Sequence, residues 1–119
     1  MSAATPGRRT VLLIDDDEAV TDFLALRLGA RLRVIALNDP CRALELALRE
    51  RPDVIVCDVE MPVMDGAAVR AALAASEPTR HIPFVFLSAS AGDAGTLSKH
   101  APIAQILERI ALLSGRDGA

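Results

Sequence analysis

Acidic, hydroxyl and amine side chains stand where four apolar runs stop. VLLI (11–14) is followed at once by Asp15, Asp16 and Asp17, VIVC (54–57) by Asp58, FVFL (84–87) by Ser88, and TLS (96–98) by Lys99. Carboxylates brought close together repel and cannot all ionise cheaply, so either one holds a proton or a cation sits among them. All-oxygen ligation by few protein groups suits Mg2+, which keeps several of its waters. Such a cation offsets the charge of an incoming phosphoryl group and leaves one carboxylate free to attack as a nucleophile, giving an acyl phosphate. Lys99 and the Ser88 hydroxyl can then hold the phosphoryl oxygens. Each residue alone has a plainer explanation. Acids after a strand are often helix caps, and Asp17 is read as such a cap or as merely solvated. Ser88 alone is a turn residue and Lys99 alone a surface lysine. The set, repeated at four run ends, is what points to chemistry.

The elements that must position these groups alternate between two patterns. Val11–Ile14 is a short apolar run, and Glu18–Leu28 then places Val20, Phe23, Leu24 and Leu28 at helical spacing. Arg33–Leu37 reads as a second strand. Asn38, Asp39 and Pro40 start a helix over Cys41–Glu50, which ends before Pro52. Val54–Cys57 is the third strand, and a loop with Pro62 and Gly66 leads into a helix over Ala67–Ala75. Phe84–Leu87 is the fourth strand and Thr96–Ser98 a short fifth. Ile103, Ile106, Leu107, Ile110 and Leu113 form an apolar stripe on the last helix. Strand–helix alternation of this kind predicts a parallel α/β sheet with helices on both faces, and near-continuous apolar strands agree. In such a sheet ligands bind beyond the carboxyl ends of the strands, where the polar residues fall.

Composition narrows the classes. A chain of 119 residues favours one domain, read here over 10–114, with 1–9 a disordered lead-in and 115–119 a frayed end. The apolar share of 51 % excludes a disordered tail. Absence of Trp and Tyr argues against stacking platforms for single-stranded nucleic acid. A net charge of −3 without a basic run argues against DNA binding. No apolar stretch is long enough for a signal peptide at the start or for a span. Cys41 and Cys57 lack metal-ligand spacing. Cys57 reads as a buried inert thiol, and a reducing cytoplasm fits.

The stretch PDVIVCDVEMPVMDG (52–66) resembles the phosphorylation segment of bacterial two-component response regulator receiver domains, the chemotaxis regulators among them. The acidic pair after VLLI, FVFLSA at 84–89 with its Ser88–Ala89, and TLSK at 96–99 match in the family's order, so the likeness runs from about Val11 to Leu113. It implies a flavodoxin-like, doubly wound, five-stranded sheet of order 2-1-3-4-5. It implies Asp58 as phosphoacceptor, with Mg2+ (or Mn2+) held by Asp16 directly, by Asp15 mostly through water, by Asp58 and by the main-chain carbonyl of Glu60. It implies Ser88 as the switch hydroxyl, Lys99 as the phosphate-binding lysine and Ala89 as the small residue that keeps the site accessible. Glu60 and Ser90 flank the site where family members tune hydrolysis. A sensor histidine kinase or histidine phosphotransfer protein is the implied partner, with neither nucleic acid nor membrane, in a monomer or weak homodimer in the cytoplasm.

Three departures stand out. SASAGDAGTLSK (88–99) is too short for the family's fourth helix and its loops, so that helix is expected to be missing or reduced to one turn. Thr96 occupies the place of the switch aromatic, so hydroxyl-to-aromatic coupling cannot run through it. His100 replaces a proline that usually follows the lysine through a cis bond. A cis peptide before a non-proline residue costs about 3 kcal/mol, so a trans Lys99–His100 bond is expected, which leaves the lysine's placement open. A second alignment takes PFVF (83–86) as the opening of an altered motif. It would make 101–104 the fifth strand, with no lysine in the site. The gapless register TLSKHAPIAQILERIALL, which gives a strand, a lysine and a full amphipathic helix, is preferred.

The expected function is stoichiometric acceptance of a phosphoryl group on Asp58 with slow self-hydrolysis, and no conventional enzyme activity. With the face around the fourth helix altered and no output domain in the sequence, a stand-alone phosphoryl carrier or a protein-contact module is expected; the Met1 start weighs against a fragment. The alternative is a pseudo-receiver that binds a partner without phosphorylation. An aspartate-nucleophile phosphatase usually carries a second aspartate two residues after the nucleophile, where this chain has Glu60.

Overall fold

Runs of β-branched and leucine residues become strands because their side chains pack on both faces of a sheet, with successive residues pointing to opposite sides. In the computed structural model, which describes residues 8–89 and 96–115, these are β1 (Thr10–Ile14), β2 (Arg33–Leu37), β3 (Val54–Asp58), β4 (Phe84–Ser88) and β5 (Thr96–Ser98). Between them lie α1 (Glu18–Leu28), α2 (Ala43–Glu50), α3 (Gly66–Ala74) and, after β5, α4 (Ile103–Leu113). All neighbouring strands are parallel, in the order β2-β1-β3-β4-β5. This is the flavodoxin-like α/β architecture.

Alternation along the strands divides the core in two. Val11, Leu13, Val54, Val56, Val85 and Leu87 meet Leu24 and Leu28 of α1 and Ile106 and Ile110 of α4. On the other face Leu12, Ile14, Ile55 and Cys57 meet Leu46 and Ala47 of α2 and Val69 and Leu73 of α3. Each fully buried aliphatic side chain contributes about 1.5–3 kcal/mol relative to exposure.

Several local expectations shift. The helix before Pro52 opens with a 3-10 turn at Pro40–Arg42, capped by Asp39 Oδ1, which accepts from Cys41 N at 3.1 Å. The third helix starts at Gly66 rather than Ala67, because Asp65 caps it by accepting from Ala68 N at 2.9 Å. Phe23 was expected on the buried stripe of α1 but is 49 % exposed, with the Arg27 guanidinium over its ring. Thr21 takes the inward place and is fully buried. Arg9, read as lead-in, accepts a main-chain hydrogen bond from Arg33.

The fourth-helix region is reduced. Only residues 89–95 join β4 to β5, and of these 90–95, Ser90 included, lie outside the described residues. β5 pairs with β4 through Phe86↔Thr96, Leu87↔Leu97 and Ser88↔Ser98, and 103–113 is helix. The second alignment, with its strand at 101–104, is therefore not the one this chain adopts. No peptide bond among the described residues is cis, so Lys99–His100 is trans. Among the described residues no helix is long and apolar enough to cross a membrane.

Candidate metal and phosphoryl site

The register of the sheet decides which side chains meet. Ile14 pairs with Cys57, so Asp15 leaves β1 level with Asp58 at the end of β3. Ser88 pairs with Ser98, which puts Lys99 one residue beyond the edge on the same rim. The carboxyl ends of β1, β3, β4 and β5 thus deliver the acids, the hydroxyl and the amine together.

Asp15, Asp16 and Asp58 each present a carboxylate oxygen within 4.8 Å of the others. Asp15 is wholly buried and Asp58 is buried, whereas Asp16 is exposed. Lys99 Nζ lies 3.0 Å from Asp15 Oδ2 and 3.1 Å from Asp58 Oδ1. A trans bond after Lys99 therefore does not keep the amine out. Its contact with Asp15 Oδ2 is an ion pair without good hydrogen-bond angles, and that buried oxygen has no hydrogen-bond donor. Buried polar atoms rarely stay unsatisfied, so an oxygen left in this way beside two further carboxylates fits a divalent cation.

Asp17 stands apart from the trio: its Oδ1 accepts from Ala19 N at 3.0 Å and caps α1, as its position suggested. Asp58, Val59, Glu60, Ser88, Ala89 and Lys99 line a cavity of about 230 Å3. Ser88 is half-buried, and its main-chain oxygen accepts from Lys99 N at 2.7 Å. Glu60 is exposed at the cavity's rim.

Burial raises the pKa of Asp58, Lys99 opposes the shift through its contact, and the Asp15 charge adds to it. For Lys99, burial acts to lower the pKa, but the contacts with Asp15 and Asp58 outweigh it and the net shift is upward. The amine is thus held as an ammonium. Cys57, under the site, is pushed up to about 12, first by burial and then by the Asp58, Asp15 and Asp65 charges. Its Sγ–H faces Asp58 O at 3.3 Å, which makes it the inert thiol expected.

Two supporting groups escaped the sequence reading. Gly66 packs on the main chain of Asp58: a Cβ there would lie 2.4 Å from the main-chain oxygen of Asp58 and 3.0 Å from the Phe86 ring. Asn38, read only as part of a helix start, bonds to the main chain of Asp15. Their signals were a glycine before a helix and an amide after a strand, each common elsewhere.

The family description of the response regulator receiver domain matches residues 11–111. The response regulator PleD of Caulobacter vibrioides is 41 % identical over 83 residues, 69 % of this chain and 18 % of that protein. The transcriptional regulatory protein PrrA of Mycobacterium tuberculosis is 35 % identical over 123 aligned positions, 92 % of this chain and 51 % of that protein. The chain therefore spans at most about half the length of these curated relatives. Among solved structures, the chemotaxis protein CheY4 of Vibrio cholerae superposes with a TM-score of 0.81 at 25 % identity, covering 90 % of this chain and 99 % of that one. The receiver domain of the sensor histidine kinase PA1611 of Pseudomonas aeruginosa, solved with magnesium in its active-site cleft, gives 0.82 at 24 % identity, covering 92 % of this chain and all of that one.

Proposed function

This chain belongs to the response regulator receiver family of two-component signalling, and from that premise we propose that it accepts a phosphoryl group on Asp58. The donor is phosphohistidine on a sensor histidine kinase or a histidine phosphotransfer protein. The observation that carries the reading is Lys99 Nζ at 3.1 Å from Asp58 Oδ1, within a trio of carboxylates that approach to 4.8 Å.

Asp15, Asp16, Asp58 and the main-chain carbonyl of Glu60 are the groups to hold Mg2+ or Mn2+. Bound there, the cation supplies positive charge against the phosphoryl oxygens. Asp58 is the nucleophile. Its carboxylate oxygen forms the new P–O bond while the P–N bond of phosphohistidine breaks, and the leaving imidazole keeps the electron pair and takes up a proton. Burial leaves little water on Asp58 to strip before attack. Lys99 pairs with Asp58 at rest and turns its ammonium to the phosphoryl oxygens after transfer. Ser88 supplies a hydroxyl to the same oxygens, and Ala89 leaves the mouth open. The acceptor is stoichiometric, and its acyl phosphate hydrolyses slowly.

Incubation with phosphoramidate and Mg2+, followed by intact-mass measurement, tests this. The expected result is a gain of one phosphoryl group that disappears on chelation and in Asp58→Asn. No gain at any Mg2+ level would leave a phosphorylation-independent protein-interaction module instead.

A further inference from the structure

The connection that carries Asp15, Asp16 and Asp17 is gripped from outside by one side chain. Asn38 Nδ2 donates to the main-chain oxygen of Asp15 and to Thr21 Oγ1, each at 2.9 Å. A carbonyl oxygen can only accept, so the amide must turn its nitrogen inward, and both of its N–H groups are then used. Thr21, fully buried, passes the chain on: its hydroxyl donates to Glu18 O at 3.1 Å. The residue before Asn38 joins in, since Leu37 O accepts from Asp15 N at 3.1 Å. Inside the connection Asp17 N donates to Asp15 Oδ1 at 2.9 Å, which ties the Asp15 carboxylate to the backbone that Asn38 holds.

This matters because the three carboxylates repel one another. A free connection would relax by swinging Asp15 and Asp16 away from Asp58. A neutral amide restrains it without adding charge, and its two donors meet both ends of the connection, before and after the cap of α1. An aspartate at this place would offer acceptors to an acceptor.

We propose that Asn38 is a positioning residue, acting with Thr21 to hold the Asp15 and Asp16 carboxylates toward Asp58 so that a divalent cation finds them already assembled. The proposal rests on the reading of that trio as a cation site. Removal of groups that orient metal ligands typically weakens binding 10–100-fold. Asn38 is exposed on its outer side, so truncation opens no core cavity.

The test is Mg2+ titration by calorimetry of the parent chain, Asn38→Ala, Thr21→Val and Thr21→Ser. Asn38→Ala is expected to raise the Mg2+ dissociation constant about tenfold. Thr21→Val, nearly isosteric but without the hydroxyl, is expected to raise it by about threefold or more, and Thr21→Ser to leave it near the parent value. In metal-free protein, exchange of the Asp17 amide is expected to speed up by about tenfold in Asn38→Ala, while core amides hold their rates. Parent-like Mg2+ affinity in both Asn38→Ala and Thr21→Val overturns the proposal and leaves the cation site standing. Absence of Mg2+ binding in the parent itself overturns both. Should Asn38→Ala not fold, Thr21→Val against Thr21→Ser decides.

Discussion

Replacing Gly66 by alanine sets two effects of opposite sign against each other. Alanine is the better helix former, by about 1 kcal/mol in a helix interior. Gly66 is the first residue of α3, where that gain is smaller. Against it stands the new methyl group, whose carbon would lie 2.4 Å from Asp58 O and 3.0 Å and 3.1 Å from two Phe86 ring atoms. The ring can tilt, but the carbonyl belongs to the last residue of β3, which pairs with Leu87 of β4 directly after Cys57, itself paired on both sides. Forcing a methyl group into packed surroundings costs about 1–3 kcal/mol. The net expectation is a loss of about 0.5–2.5 kcal/mol once a helix gain of about 0.5 kcal/mol is subtracted. The chain has neither Trp nor Tyr, so urea unfolding followed by far-UV circular dichroism is the suitable assay. The displaced carbonyl is that of Asp58, so Mg2+ affinity should fall in the same variant. A midpoint equal to or above that of the parent would refute the reasoning, because propensity would then outweigh the close approach.

Asp58→Asn is expected to be more stable than the parent at pH 7. Burial first, opposed by Lys99 and aided by Asp15, raises the Asp58 pKa in the folded state. Stability is therefore lost as pH rises through the window from the ordinary aspartate value of about 3.9 up to the raised folded value. The advantage of asparagine should close below that window, and melting curves from pH 3 to 7 check it. Lys99→Ala leaves Asp15, wholly buried, without its ammonium, while Lys99 itself is 20 % exposed. A loss of about 2–3 kcal/mol is expected in metal-free protein, below the usual cost of breaking a fully buried pair, with partial recovery in Mg2+. Cys41 is exposed and Cys57 buried, so a thiol reagent at neutral pH should label one cysteine in native protein and two after unfolding.

Strand ends were the legible part of this sequence. VLLI, VIVC and FVFL each stop at a polar residue, and a parallel sheet carries every such stop to one rim, so the meeting of the acids with Ser88 followed from order alone. What stayed hidden depends on contacts between distant segments. Phe23 fits a helical stripe by spacing, yet the inward place falls to Thr21 because Asn38, 17 residues away, supplies its hydrogen-bond partner. A buried hydroxyl is tolerated only with such a partner, and one helix read by itself does not contain that information. Gly66 likewise looks like a turn residue until Asp58 O is seen beneath it. The reach of Lys99 was open in the sequence because it depends on how the backbone leaves β5. The pairing of Ser98 with Ser88, together with the bond from Lys99 N to Ser88 O, aims the side chain inward.

The most direct trial of the whole account is to find where the phosphoryl group sits. Protein treated with phosphoramidate and Mg2+ is reduced with borohydride, which converts an aspartyl phosphate to homoserine, and is then sequenced by tandem mass spectrometry. Conversion confined to Asp58 is the predicted result. Conversion at Asp15, Asp16 or another acid while Asp58 stays intact would contradict it.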